Sequence, residues 1–162
     1  MGMDISGKNP IVESGEYFRA SCWSWRPLQF LCEFADNKFN LGIDFSYWAY
    51  NDGAGLQNDT ECNKLADALE RILVNNTENL KDDDDIIGLC LGLWVHTNTG
   101  SFVDGASDGR SKLNRDYPKG TILYGSVVDS KGQLVQPAHS ITLGHIKEFI
   151  TFLRTSGGFE IW

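Results

Sequence analysis

The sequence predicts an α+β fold, a single domain of about three helices packed on a mainly antiparallel sheet. Three observations lead there. Cys62, Leu65, Ala66, Leu69, Ile72 and Leu73 recur at helical spacing along one side of a segment from about Thr60 to Val74. Lys64, Asp67, Glu70 and Arg71 occupy its other side, so one face of this helix is built for burial. Two short apolar runs, 121–128 and 134–137, flank Asp129-Ser130-Lys131-Gly132, which is a hairpin signal. Tyr17 and Arg19 alternate with Glu16 and Phe18 after Gly15, as in a short strand. The 162 residues, 41% of them hydrophobic, suffice for a core without staples.

The remaining elements follow in chain order. Ser24 fits an N-cap, with Pro27 in the first turn and Leu28, Leu31, Cys32 and Ala35 at helical spacing to about Asp36. Trp23 and Trp25 bracket that start. Residues 39–50 read as extended or irregular, because the alternation of Ile43, Phe45 and Tyr47 changes parity at Trp48. Asn51-Asp52-Gly53 and Gly55 form a turn, since these residue types tolerate sharp reversals. Asn58, three residues before Glu61, completes a capping-box pattern at the head of the next helix.

Residues 75–85 are polar and acidic, a linker or loop tip. The apolar run 86–96 carries Gly88, Cys90 and Gly92 at every second position, which suits a buried strand better than a helix. From Thr97 to Lys119 no periodicity appears, and a segment of that length is expected to be a mobile contact loop. Thr142 or Ser140 caps a last helix with Ile146, Phe149, Ile150 and Leu153 on one face. Gly157 stops it, and 159–162 reads as a short final strand; short strands near both termini are expected to join the sheet.

Charge and cysteine usage bound the function. A net charge of −8 argues against general nucleic-acid binding, which depends on Lys and Arg contacts to phosphate. Cys22, Cys32, Cys62 and Cys90 are scattered without a C-x-x-C pair, so free thiols in a cytoplasmic protein are expected. No apolar stretch is long enough to span a bilayer, so no membrane partner is expected. His96, His139 and His145 lack ligand spacing, and the four consecutive acids 82–85 point in several directions; no metal and no cofactor are expected. No phosphate loop, dinucleotide fingerprint or nucleophile elbow is present, so no catalytic residue is assigned.

Two places remain as candidate binding sites. The run from Gly15 to Leu28 holds four aromatic residues and two arginines in fourteen positions, with Trp23, Trp25 and Arg26 as the anchors a protein interface uses. The same residues also suit a buried strand-to-helix junction. Asn51 and Asp52 add a helix-entry turn able to touch a ligand. In the long segment Arg110, Lys112, Arg115 and Lys119 place four of fourteen basic residues within ten positions, and Arg110 and Arg115 are its binding candidates.

Met1-Gly2-Met3-Asp4, Gly7-Lys8-Asn9-Pro10, Gly15–Arg19, Trp25-Arg26-Pro27, Asn51–Leu56 and Ser156–Ile161 together resemble a family of small uncharacterised proteins from bacteria and their phages. The stretch from about Asp82 to Lys119 is unmatched, and the resemblance carries no catalytic residues. It implies a small binding or interaction module without catalytic activity, phage-associated; the aromatic–arginine run favours a protein as its partner. The alternative is a hydrolase-like enzyme on a small polar substrate, built from Asp52, His96 and Arg110 around the 97–119 segment.

Overall fold

A computed structural model describes residues 2–76, 93–96, 102–103, 122–124, 127–128, 134–136 and 139–162. The fold is α+β, with three helices and antiparallel pairing throughout the described strands. The chain divides into two compact units, Met1–Leu73 with Lys147–Trp162, and Val74–Ile146.

The first unit is built on a three-stranded sheet of β1 (Gly2–Gly7), β2 (Tyr17–Ser21) and β9 (Phe159–Ile161), in the order β2-β1-β9. Register is fixed by which face is apolar, because a one-residue slip would turn every side chain over. Met3, Ile5, Phe18, Ala20, Phe159 and Ile161 all point inward and are buried. Asp4, Ser6, Tyr17, Arg19 and Glu160 alternate with them and face outward.

Helix α1 spans Cys22–Phe39. It starts earlier than the Ser24 cap anticipated from the sequence. Ser21 is the N-cap, its Oγ accepting from the Ser24 amide at 3.2 Å, while the Ser24 hydroxyl donates back to the Ser21 carbonyl at 3.2 Å. Two serines three residues apart satisfy each other's backbone, which explains the shift. Pro27 therefore lies in the second turn, where it removes one i→i−4 hydrogen bond. The helix also runs past Asp36, ending where Asn40 takes a left-handed φ of 53° and returns its N–H to the Asp36 carbonyl. Residues 41–50 then form turns without strand structure.

Helix α2 spans Asp59–Asn76, and the stripe from Cys62 to Leu73 is buried. Its cap follows the sequence pattern with one change. Asn58 Oδ1 accepts from the Glu61 amide at 3.0 Å, but the Glu61 carboxylate reaches one residue further back, to the Gln57 amide at 2.7 Å. Helix α3 spans Leu143–Ser156; Thr142 Oγ1 accepts from the His145 amide, and Gly157 ends the helix at φ 65°. Polar contacts tie α2 to α3. Arg154 reaches Asp67 and Glu70 at 2.8 Å each, and Asn63 at 3.4 Å, three residues along one line of α2. These carboxylates, Glu70 foremost, raise the Arg154 guanidinium above its ordinary pKa.

The core joins the inner sheet face to the helices through aromatic rings. Phe18 packs on Phe149 and Phe152 with centroids 5.1 and 5.9 Å apart, and Phe159 lies 5.9 Å from Phe152. Trp25 stacks on Trp48 at 6.1 Å and meets Phe149 edge-on. Cys32 and Cys62 are buried free thiols, and burial pushes both pKa values up. Both are expected to resist alkylation in the folded protein and to react once it is unfolded. Mass mapping of labelled thiols with and without denaturant checks this.

The second unit contains β3 (Leu93–His96), β4 (Phe102–Val103), β5 (Ile122–Tyr124), β6 (Val127–Val128), β7 (Leu134–Gln136) and β8 (His139–Ile141). Its larger sheet has the order β4-β3-β5-β8. The hairpin read around 129–132 is present as the β6–β7 pair, with a register irregularity at Val127 and Val128, while β5 belongs to the larger sheet instead. The acidic run 82–85, Cys90 and the basic cluster 110–119 lie outside the described residues.

Candidate binding face

Strand alternation places Asp4, Arg19 and Tyr17 on the outer face of the first sheet, where Asp4 stands opposite Arg19 in register. The ladder continues one residue beyond β9. Asp4 donates to the Trp162 carbonyl at 2.8 Å, and Trp162 donates back to the Asp4 carbonyl at 2.6 Å. Trp162 therefore completes a row, Arg19–Asp4–Trp162, across three neighbouring chains of the sheet. Tyr17 and Trp162 are about half exposed, at 51% and 50%.

Asp4 organises the polar side of this row. Its carboxylate accepts a short hydrogen bond from the Tyr17 hydroxyl and lies 3.7 Å from Arg19 Nε. The bond to Asp4 raises the Tyr17 phenol above its ordinary pKa, with a small opposing contribution from Arg19. The phenol thus stays protonated and tethered, while the guanidinium fork keeps donors facing solvent.

Trp162 is held from below by the 51–56 turn. The Gly53 amide donates to the Ile161 carbonyl, Ile161 to Ala54, and Phe159 to Leu56, each at 2.8 Å. This segment covers the outer edge of β9, which would otherwise offer unpaired backbone groups. Gly53 adopts φ 91°, and a Cβ there would sit 3.0 Å from Trp162 Cη2, so the indole rests on bare backbone. Asn51 Nδ2 donates to the Gly2 carbonyl at 3.4 Å, which fixes the turn against the sheet. Tyr50 and Tyr47 in the preceding loop are also exposed, at 60% and 59%, with their rings 6.4 Å apart.

The residues singled out from the sequence are distributed unevenly over this geometry. Asn51 and Asp52 are exposed on the turn beside the row. Arg26 is exposed on α1. Trp25 is 1% exposed, and its Nε1–H donates to the Trp48 carbonyl at 2.7 Å, so its ring belongs to the core. The Trp23 side chain, Arg110 and Arg115 lie outside the described residues. Of the hydrolase triad, Asp52 is on the turn, His96 ends β3 in the other unit, and Arg110 is not described.

Tyr17 and Arg19 were visible in the aromatic–arginine run, where alternation already separated them from Phe18. Trp162 was legible only as the end of a short strand. Its position over Gly53 depends on pairing between segments about a hundred residues apart, and no local pattern signals that. Among the described residues no group of three or more His, Cys, Asp or Glu is placed to hold a metal ion. No helix among them is long and apolar enough to cross a membrane. No family model, curated protein or solved structure matches the chain.

Proposed function

We propose that this chain is a small cytoplasmic binding module, phage-associated as the sequence resemblance implies, which docks a protein partner on the outer face of the β2-β1-β9 sheet. The observation that carries this reading is the row Tyr17, Arg19 and Trp162 gathered around Asp4 on a rigid backbone. Trp, Tyr and Arg dominate the energetics of protein interfaces because each combines large contact area with a directional polar group. Here Tyr17 and Trp162 are half exposed and each is held in place, Tyr17 by Asp4 and Trp162 by the sheet ladder, so less conformational entropy is lost on docking. A net charge of −8 adds long-range attraction for a partner with a basic surface.

The test compares variants in affinity capture from the native host. Tyr17→Ala with Trp162→Ala is expected to lose the specific partner, with affinity for the purified partner falling about a hundredfold or more. Arg110→Ala with Arg115→Ala serves as the contrasting variant. Thermal unfolding of each verifies the fold. Undiminished partner binding by the folded Tyr17/Trp162 variant overturns the proposal, and a loss confined to the arginine variant moves the interface to the basic cluster.

A further inference from the structure

A cleft of about 420 Å³ opens between the 41–47 loop, the 54–57 segment and the first two turns of α2. We propose that it binds a small organic cation, a primary amine with an apolar or aromatic body. The volume is within the range of small-molecule sites. Leu41, Ile43 and Leu56 supply apolar lining, and the exposed Tyr47 ring stands at the rim. An apolar body has somewhere to go, and an aromatic face is available to a cation.

Both walls are pre-formed. The Ile43 amide is held by Asp36 Oδ1 at 3.0 Å, and the loop carrying Asp44 and Tyr47 is closed by the Ser46 amide on Asp44 Oδ1 at 2.9 Å. On the opposite side Ala54 and Leu56 are bonded to β9, and Gln57 is held by both Glu61 and Lys8. A ligand meets a cavity that does not have to be ordered first.

Charge selects the ligand class. Asp44 and Glu61 both line the cleft, and each uses one carboxylate oxygen for its own loop or cap bond, Oδ1 in Asp44 and Oε2 in Glu61. The second oxygen of each is left to accept from an ammonium. The Ser46 hydroxyl and amide hold the Asp44 carboxyl below its ordinary pKa, so it is ionised at neutral pH. Lys64 places one positive charge on the same lining, leaving the cleft with a net negative balance inside a chain of net charge −8. An anion would meet two carboxylates, and a neutral ligand would leave their charge unanswered.

The test titrates the full chain separately with phenethylamine, 2-phenylethanol and 3-phenylpropionate, following methyl NMR signals of Leu41, Ile43 and Leu56. Phenethylamine is expected to move all three together and to bind at least about tenfold tighter than either analogue. Asp44→Asn and Glu61→Gln keep the oxygens that close the loop and cap the helix while removing charge. Each is expected to weaken the amine about tenfold and leave the alcohol unchanged. Equal binding of all three compounds, tighter binding of the acid, or no methyl shift with amine up to about 10 mM overturns the proposal. The wild-type ligand ranking does not depend on either variant folding. A negative outcome here leaves the sheet-face reading standing, since the two sites share none of the residues tested.

Discussion

Replacing Trp25 by alanine is expected to lower the unfolding free energy by about 3–5 kcal/mol, the range for emptying a buried aromatic site. The indole is 1% exposed, stacks on Trp48 and meets Phe149 edge-on, so its removal opens a cavity bordered by other rings. A second variant separates packing from hydrogen bonding. Trp25→Phe keeps most of the ring but removes the Nε1–H that the Trp48 carbonyl accepts at 2.7 Å. Leaving that buried carbonyl unpaired costs about 1–3 kcal/mol, so the phenylalanine variant should fall between wild type and alanine. Denaturant unfolding monitored by far-ultraviolet circular dichroism measures all three. A loss below about 0.5 kcal/mol for Trp25→Ala would remove this residue from the core and return it to the surface candidates.

Leu69→Ala is the second large effect, about 2–5 kcal/mol. Leu69 sits at the centre of the buried stripe of α2, with Leu65, Ala66, Ile72 and Leu73 around it on the same face. The neighbours one and two turns away are themselves locked by packing, which limits collapse into the vacated volume and favours the upper part of that range. Equilibrium urea unfolding at constant m-value is the measurement, since a changed m-value would signal an altered denatured state instead. Alanine is the better helix former, so no part of the loss comes from intrinsic propensity. A change of less than about 0.5 kcal/mol would mean that this face is not core.

What was legible in the sequence follows the range of the interactions involved. The α2 stripe, its Asn58 cap and the Gly157 stop are set by residues within a few positions of each other, and pattern alone located them. The start of α1 was misplaced because Ser21 and Ser24 both qualify as caps, and Cys22 and Trp23 are indifferent helix formers that gave no signal between them. The candidate face was half visible. Alternation put Tyr17 and Arg19 on one side of a strand, but their tie to Asp4 required the β1–β2 register. The Trp162 seat on Gly53 required a third segment still further away. Trp25 illustrates the opposite difficulty: Trp is equally suited to an interface and to a core, and its acceptor lies 23 positions along the chain.

The central strand of the first sheet joins chain segments of very different separation, and loop-closure entropy favours the local pairing as the faster one to form. Ser6 pairs with Tyr17, eleven positions on, whereas Ile5 pairs with Ile161 across 156 positions. The β1–β2 hairpin is a local structure of the kind that closes in about 1–10 μs. Its other edge stays open until Phe159–Ile161 arrives, with the whole of the second unit in the intervening loop. Closing so long a loop adds little to the equilibrium cost, which grows only logarithmically with length, but it slows the search. Until then Met3, Ile5 and Phe18 lack the cover of Phe159 and Ile161 on that side, and the unpaired edge of β1 is a template for another chain. Docking of β9 is therefore what pairs this edge and covers this face.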